Sequence, residues 1–324
     1  MILLTGATGF VGRNFLLRLL GEGREVAAVV RSPEKLAAQL RAEGLPSEPP
    51  GLKVLPSDPS RWPALPFSEA VLGAGVLFAR SREEYWATNV GWTLDILRRL
   101  PESCRTVLIS SQAAGGPTPP GRTARGPEDP DAPITWYGES KLAMERAVRA
   151  QFPERAVTIL RPPMILGARD TATLPLFRMA RGMVRIKPGL RAKTYSFVDV
   201  QDMVGAILAV LKSEPHLQPL YPTAPVSITD WELIATAAEV SRGRGLTLPV
   251  PDAVVRLLSV VVDAVPPLRQ SAPSLTRDRA KDIWQERWVV DGGALTRLTG
   301  WTARVDLRTS LQEAHDYYCR EGLL

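Results

Sequence analysis

Two side chains able to move a proton stand four positions apart in the segment Tyr137-Gly-Glu-Ser-Lys141. If this segment is helical, the phenol and the ammonium lie on one face, and the ammonium favours the ionised phenol. An unperturbed phenol has a pKa of about 10, which makes it a poor acid–base group at neutral pH. The pair therefore predicts a proton shuttle centred on Tyr137, the alternative being a coincidental pair on the surface.

A glycine-rich turn near the start of the chain indicates a site for a dinucleotide. The apolar run at residues 2–4 leads into Thr5-Gly-Ala-Thr-Gly-Phe-Val-Gly12 and then into a stretch with helical periodicity. In a strand–turn–helix unit of this kind, Gly6 allows the tight turn, Gly9 lets the backbone approach a pyrophosphate, and Gly12 lets the helix pack closely. The N–H groups at the helix start would hold the phosphates. An ordinary tight turn is the alternative, and the absence of a Gly-Lys-Ser/Thr motif disfavours a kinase-type phosphate loop.

The residues after the next two strands bear on the choice of cofactor. In NAD-binding proteins an acidic residue at the end of the second strand binds the ribose hydroxyls. In this chain Arg31 ends that strand, and Lys35 lies one helical turn later. A guanidinium suits a 2′-phosphate, so NADP(H) is preferred and NAD(H) stays open, unless Arg31 is simply a solvated residue. Asp58, after the third strand, is either a ligand of the adenine amine or an ordinary turn residue before a proline.

Hydride transfer to a carbonyl also needs a donor that holds the substrate oxygen beside the tyrosine. Ser110 and Ser111 follow the strand predicted at residues 106–109, at the sheet edge where parallel sheets bind ligands. Paired serines are common in plain turns. Ser111 is the predicted donor because Tyr137 is already expected nearby.

The elements alternate in a way that predicts a doubly wound parallel sheet of the α/β class. Apolar strands are expected near residues 2–4, 25–30, 52–55, 70–76, 106–109 and 157–160, with helical patterns between them. Beyond residue 168 the alternation weakens. We therefore expect a Rossmann-type NAD(P)-binding domain at 1–168, with a returning strand–helix segment near 195–212, and a smaller, mostly helical substrate-binding region at 169–324. An apolar helical pattern at 254–265 predicts core, or less favourably a pocket wall.

The composition excludes several classes of protein. A chain of 324 residues that is 45% hydrophobic has ample length for a core, which argues against disorder. Two cysteines and two histidines cannot supply a disulfide framework, a zinc centre or a histidine-dependent triad, so we expect a reducing, cytoplasmic setting and no metal. The net charge of +6 is spread among acids, which disfavours nucleic-acid binding. No apolar run is long enough for a membrane span.

Taken in order, the motifs resemble those of the extended short-chain dehydrogenases/reductases, also called the NAD-dependent epimerase/dehydratase family. The matching segments, over about two thirds of the chain, are Thr5-Gly-Ala-Thr-Gly-Phe-Val-Gly12, Ala87-Thr-Asn-Val90, Ile109-Ser-Ser111, Tyr137-Gly-Glu-Ser-Lys141, Leu160-Arg-Pro-Pro163 with Gly167, and Ser196-Phe-Val-Asp-Val200 with Asp202.

The resemblance implies roles for individual residues. Tyr137 would be the general acid–base and Ser111 would polarise the substrate oxygen, while Lys141 would bind the nicotinamide ribose and tune Tyr137. Further cofactor contacts would come from Thr8, Phe10 and Val11 of the glycine turn, from Gly75, and from Pro162 beside the nicotinamide. It also implies a homodimer formed through the helix after the fourth strand and the helix carrying Tyr137.

Two departures from the family pattern narrow the expected activity. Leu72 stands where many members have a histidine, and Gln112-Ala-Ala-Gly-Gly replaces the Val-Tyr-Gly run common in sugar-nucleotide enzymes. The chain is thus more similar to the dihydroflavonol reductase and hydroxysteroid dehydrogenase branch. We predict an NADP(H)-dependent oxidoreductase that interconverts a secondary alcohol and a ketone of a small-molecule substrate. The alternatives are a nucleotide-sugar epimerase or dehydratase with tightly bound cofactor, and a non-catalytic NADP-binding sensor or assembly protein.

Overall fold

A parallel six-stranded sheet forms the centre of the computed structural model, which describes residues 1–216, 218–265, 268 and 275–324. The strands lie in the order β3-β2-β1-β4-β5-β6. Their bounds are β1 Ile2–Thr5, β2 Val26–Val30, β3 Leu52–Pro56, β4 Glu69–Leu72, β5 Arg105–Ile109 and β6 Val157–Leu160. This strand order is that of the Rossmann fold, and the α/β prediction is confirmed.

Helices cover both faces of this sheet because successive residues of each buried strand point to opposite sides. Ile2 and Leu4 pack in one core cluster with the helices at residues 10–21, 33–42 and 200–212, whereas Leu3 packs in a second cluster with the helices at residues 92–99 and 136–151. The bounds in this half are α1 Phe10–Gly21, α2 Pro33–Ala42, α3 Arg82–Tyr85, a π-helical turn Trp86–Gly91, α4 Trp92–Arg99, α5 Gln112–Gly115 and α6 Trp136–Gln151.

The remaining chain builds short strands and helices around a third core cluster, contributed by α7, α9 and the last helix, α13. The bounds are β7 Met164–Leu166, α7 Leu174–Ala180, β8 Val184–Pro188, β9 Thr194–Tyr195, β10 Phe197–Asp199, α8 Val200–Lys212, β11 Ile228–Thr229, α9 Asp230–Val240, β12 Leu246–Val250, α10 Asp252–Ala264, α11 Arg277–Ile283, β13 Arg287–Trp288, α12 Gly293–Thr299 and α13 Leu307–Arg320. Strands β7 and β10 pair, as do β8 and β12, and β9 lies between β11 and β13. Within the described ranges, no helix is long and apolar enough to cross a membrane.

The preference for a core helix at residues 254–265 is wrong. Helix α10 buries Val255, Ser259 and Val262, but Leu257 is 66% exposed and Leu258 is 50% exposed. A periodic pattern shows that a helix has an apolar face, but it does not show what covers that face. In this structure the larger apolar side chains of α10 face outward.

Candidate functional site

The glycine turn after β1 is as compact as its sequence predicts. Gly6 has a φ of +76°, and a Cβ atom there would lie 3.0 Å from the backbone of Gly73 and Ala74. The Gly9 N–H donates to the Gly6 carbonyl oxygen at 2.8 Å. A Cβ atom on Gly12 would lie 2.1 Å from that same oxygen, so only glycine lets α1 start this close to the turn.

This turn suits the pyrophosphate of a dinucleotide. Gly9 caps α1 without a side chain, so no side-chain oxygen competes for the N–H groups of the first helical turn, which includes Phe10 and Val11. Thr8 helps to anchor the turn, because its carbonyl oxygen accepts a hydrogen bond from Gln39 Nε2 at 3.3 Å. Free N–H groups and the positive end of the helix dipole together bind anions.

Gly12→Ala is expected to lower the free energy of unfolding by about 1–3 kcal/mol, because the new methyl group overlaps the Gly6 carbonyl. Gly21→Ala is the matched control in the same helix. No atom lies within 4 Å of a Cβ at Gly21, and alanine is the better helix former by about 1 kcal/mol. Urea unfolding of both variants checks the difference. Equal stability of the two variants would contradict the close approach at Gly12.

Helix α6 brings Tyr137 to Ser111. Thr135 caps the helix by accepting from the Gly138 N–H at 3.3 Å, and a Cβ on Gly138 would lie 2.4 Å from the Ala113 carbonyl oxygen. Gly138 thus allows α6 to lie directly on α5, whose first residues follow Ser111. The Ser111 hydroxyl lies close enough to the Tyr137 phenol to lower the pKa of that phenol.

The two serines after β5 point to different places. Ser111 Oγ accepts from the Ala113 N–H at 3.2 Å and faces Tyr137, whereas the Ser110 hydroxyl donates to the buried carboxylate of Glu145. The structure thus turns Ser111, the serine chosen from the sequence, toward Tyr137, and the turn that separates the two directions depends on how α5 packs.

Lys141 lies one helical turn after Tyr137 and is almost fully buried, at 4% exposure. Its ammonium donates to the carbonyl oxygen of Ile109, the last residue of β5, at 2.9 Å. Burial lowers the pKa of Lys141 to about 8, and the nearby carboxylate of Glu145 partly opposes this shift. The ammonium is therefore fixed at the carboxyl end of β5, beside the serine pair.

Contacts around Gly75 connect Lys141 with the glycine turn. A Cβ on Gly75 would lie 3.3 Å from Lys141 Nζ and 2.9 Å from Asn89 Oδ1. Asn89, in the π-helical turn, accepts from the Val76 N–H at 2.9 Å and donates to Ser140 Oγ at 2.9 Å. The loop after β4 thus touches Gly6 at one end and the helix of Lys141 at the other, so both predicted parts of the site lie along one sheet edge.

The pKa of Tyr137 shifts in the direction opposite to the prediction that Lys141 would favour the ionised phenol. Burial raises the pKa of the phenol above its ordinary value, and this outweighs the lowering by the Ser111 hydrogen bond and by Arg279. The pairing of Tyr137 and Lys141 in the sequence does not show how much water the fold removes from the phenol. Tyr137 is therefore held as the neutral acid at pH 7.

Arg279 is a site residue that the sequence analysis missed. Its guanidinium carbon lies 5.2 Å from the centre of the Tyr137 ring and 5.6 Å from that of Phe78. Its helix, α11, is tied to α6 because Asp278 Oδ2 accepts from the Trp136 N–H at 3.0 Å. Nothing in the spacing of residues 136 and 278 signals this contact.

A buried network of ion pairs, formed by Arg161 with Glu145 and Asp131, lies next to the site. Arg161 Nε and Nη2 donate to the two oxygens of Glu145 at 2.9 and 2.6 Å, and Nη1 donates to Asp131 at 2.7 Å. Although burial opposes the charge, Glu145 and Asp131 raise the pKa of Arg161. Because Glu145 also accepts from Ser110, this network fixes α6 against the ends of β5 and β6.

The other predicted cofactor residues lie at the same edge of the sheet. Arg31 follows β2 and is exposed, and Pro162 follows β6, is buried, and accepts from the Gln112 N–H at 2.9 Å. Asp58 after β3 is exposed and caps a short turn, since Ser60 donates to its carboxylate through N at 2.9 Å and Oγ at 2.7 Å. These hydrogen bonds hold the pKa of Asp58 below its ordinary value.

Asp282, in α11, is expected to make stability depend on pH. Burial, aided by Asp278 and opposed by Arg279, raises the pKa of Asp282 to about 6. The unfolded state loses this proton near pH 4, so the carboxyl group lowers the free energy of unfolding as the pH rises from about 4 to about 6. Asp282→Asn removes this dependence on pH. The free energy of unfolding of the variant, relative to that of wild type, should therefore be about 1–3 kcal/mol higher at pH 7 than at pH 4.

Urea unfolding at the two pH values measures this gain, with Asp95→Asn on the exposed side of α4 as the matched control. A gain no larger than that of the control would show that Asp282 is not desolvated.

Comparison with known proteins identifies the class to which this fold and site belong. Residues 2–219 match the model of the NAD dependent epimerase/dehydratase family, and the chain belongs to that family. The resemblance found in the motifs is thereby confirmed, and with it a Rossmann-type NAD(P)-binding protein.

Individual relatives carry different names. Over its full length the chain is 25% identical to a ceramide reductase of Caulobacter vibrioides, of which it covers 96%. It is 30% identical, over 60% of this chain and 56% of the relative, to a 4-hydroxy-2-methyl-3-oxo-4-farnesyl-3,4-dihydroquinoline-1-oxide ketoreductase of Stigmatella aurantiaca. Among solved structures, the UDP-glucuronic acid 4-epimerase of Bacillus cereus in complex with NAD superposes with a TM-score of 0.75 at 16% identity, over 99% of each chain. This last likeness shows a shared fold.

Proposed function

We propose that this protein is an NADP(H)-dependent oxidoreductase that interconverts a secondary alcohol and a ketone. The observation that carries the proposal is the position of the Tyr137 phenol beside Ser111, at the sheet edge that also holds the glycine turn. A group that must donate a proton at neutral pH needs to be protonated there. The raised pKa of Tyr137 keeps the phenol protonated at pH 7, as the proton donor to a ketone must be.

The chemistry divides between cofactor and protein. A nicotinamide cofactor, when bound, would supply the hydride in reduction and accept it in oxidation. In reduction the carbonyl carbon would accept that hydride with its electron pair, the carbonyl π pair would move to oxygen, and Tyr137 would transfer its proton to that oxygen and be reprotonated from solvent. Ser111 donates to the same oxygen, and Lys141 and Arg279 stabilise the transient phenolate by their positive charge.

The two parts of the chain have separate proposed tasks. Residues 1–168 and the returning segment near 195–212 would hold the cofactor through the glycine turn, Gly75, Lys141 and Pro162. The rest of 169–324 would cover the substrate, with Arg279 of α11 reaching Tyr137. The names of two relatives, a ceramide reductase and a ketoreductase, support carbonyl reduction.

The assay that tests this function follows consumption of NADPH in the presence of a panel of aliphatic ketones, sterol ketones and long-chain keto-lipids. Net oxidation of NADPH by at least one ketone is the expected result. If instead the protein retains cofactor through purification and interconverts sugar nucleotides without net oxidation, the epimerase alternative is correct. Binding of NADPH without turnover of any of these compounds would favour the non-catalytic alternative.

Arg31→Glu is expected to reverse the cofactor preference. Loss of a charge-assisted hydrogen bond to the 2′-phosphate weakens NADPH binding by about 10- to 100-fold, with little effect on NADH. Fluorescence titration with both cofactors measures the ratio, and Arg41→Glu, on the same helix–strand unit but hydrogen-bonded to Ser47, is the control. If the ratio of NADPH to NADH affinity is unchanged in Arg31→Glu, Arg31 does not bind the 2′-phosphate.

The setting and assembly of the protein are also proposals. Cys104 and Cys319 are both free thiols, which supports a reducing, cytoplasmic location. A homodimer is proposed through α4 and α6, whose ends are already joined within one chain by Arg98 donating to Gln151 Oε1 at 2.9 Å.

A further inference from the structure

An uncovered apolar surface begins on the small sheet of β8 and β12. The two strands pair in parallel, with Val184 opposite Leu246 and Ile186 opposite Leu248. Exposure of these side chains is 52% for Val184, 43% for Ile186, 73% for Leu246 and 47% for Leu248. One face of this sheet is therefore a continuous aliphatic surface turned away from the protein core.

Charged residues buried on the opposite face of the sheet keep the aliphatic face turned toward solvent. Arg185 and Lys187 alternate with the aliphatic residues and are buried at 9% and 0% exposure. Lys187 Nζ forms an ion pair with Asp230 Oδ2 at 2.8 Å, and Arg185 Nε donates to Thr247 Oγ1 at 3.1 Å. A half-exposed sheet ordinarily turns its charges outward. The inward ion pair holds a register that leaves the aliphatic side outside.

Helix α10, the next element of the chain, carries a second set of exposed aliphatic side chains. It starts directly after β12, with Pro251 as the single connecting residue, and its inward residues are Val255, Ser259 and Val262. The outward side chains repeat at helical spacing and are Val254, Leu257, Leu258 and Val261, each 43–66% exposed. Together with the four aliphatic residues of the sheet, they are called the apolar face below.

Exposed arginines lie beside the apolar face. Arg181 precedes β8, Arg242 and Arg244 precede β12, and Arg191 follows β8, where it pairs with Glu286 at 3.0 Å. The two acids of α10 have partners on neighbouring segments, since Asp252 lies 3.4 Å from Lys193 Nζ and Asp263 accepts from the Arg277 N–H. Aliphatic side chains bordered by arginines are the features that hold a protein on an anionic lipid surface.

We propose that the apolar face docks on an anionic phospholipid bilayer. The inference goes beyond the proposed reaction and does not depend on it. A bilayer accepts both features at once, since the aliphatic side chains enter the acyl boundary while the guanidinium groups pair with lipid phosphates.

The apolar face is also connected to the candidate site. Helix α10 is joined to α11 because the Arg277 N–H donates to Asp263 Oδ2 at 3.3 Å and Arg256 stacks on Trp284 at 4.9 Å. Helix α11 carries Arg279, which lies over the Tyr137 ring. Docking through α10 would thus place the membrane one helical layer from the reacting groups, where a substrate could pass from the lipid.

Cosedimentation of the full chain with vesicles tests the proposal. Wild type is expected to bind vesicles of phosphatidylcholine mixed with phosphatidylglycerol at least about tenfold more tightly than vesicles of phosphatidylcholine alone. Leu257→Asp/Leu258→Asp and, separately, Arg242→Glu/Arg244→Glu should each weaken that binding about tenfold or more. Val226→Asp, which changes a 68% exposed residue outside the apolar face, should leave it unchanged.

Several outcomes would overturn the proposal. Wild type that sediments with neither kind of vesicle has no membrane surface, whatever its activity toward soluble ketones. Equal losses in Val226→Asp and Leu257→Asp/Leu258→Asp would show that binding is not located on the apolar face. If light scattering shows a dimer that Leu257→Asp/Leu258→Asp converts to monomer, and vesicle binding is absent, a second copy of the chain covers this face instead. Circular dichroism of each variant separates these results from unfolding.

Discussion

Tyr137→Phe is expected to reduce kcat/KM for ketone reduction by about 100- to 10,000-fold, the range that general acid catalysis supplies. The substitution removes the proton donor beside Ser111 while keeping the ring that contacts Arg279. Binding of NADPH, measured by fluorescence, should change little, because the glycine turn is untouched. The loss should therefore appear in kcat rather than in the affinity for cofactor.

Tyr85→Phe is the matched control for this experiment. The Tyr85 ring lies 6.2 Å from that of Tyr137, but its hydroxyl donates to the Leu77 carbonyl oxygen at 2.9 Å and lies outside the Ser111 contact. Removal of that hydroxyl should leave most of the turnover. Comparable activity of the two variants would show that Tyr137 does not transfer the proton, and the oxidoreductase mechanism proposed here would be wrong.

Arg161→Met is expected to lower the free energy of unfolding by about 3–5 kcal/mol, the largest stability effect we predict. The Arg161 and Glu145 side chains are 2% and 0% exposed, so the substitution leaves a carboxylate in the interior without its main partner. Methionine fills much of the same volume, which limits the contribution of a cavity. Urea unfolding at neutral pH measures the change.

The control is Arg98→Met, in which the arginine pairs with Asp95 on the surface with side chains that are more than half exposed. Such pairs contribute about 1 kcal/mol or less. In Glu145→Leu/Arg161→Met both charges are gone, and much of the lost stability should return. A destabilisation by Arg161→Met no greater than that by Arg98→Met would mean that water reaches the Glu145 carboxylate.

The motifs with the clearest signals in the sequence are those whose geometry is set within one element. The glycine turn could be predicted because Gly6 and Gly12 act on each other across a few residues, where sterics leave one solution. The placement of Tyr137 and Lys141 on one face follows from the helical repeat. The six-stranded parallel sheet likewise follows from the alternation of apolar strands and helices.

The charges and pKa shifts at the site depend on contacts between segments that are far apart in the sequence. Arg279 and Trp136 belong to helices that approach only in the folded chain, and Glu145 meets Arg161 through the packing of α6 on β6. Burial reverses the expected direction of the shift in the Tyr137 pKa, and burial likewise depends on the whole folded chain. Periodicity in α10 indicated an apolar face but not that it lies outside.

By itself, then, the sequence determined the family and the parallel α/β fold, and it predicted the residues that would carry the chemistry, because these depend on local spacing and backbone sterics. Only the tertiary structure decided that Arg279 approaches Tyr137, how far the phenol is removed from water, and which apolar residues stay exposed. Those features depend on desolvation and on charges brought together over long separations in the chain, and the free energy of such contacts is not encoded in any single segment.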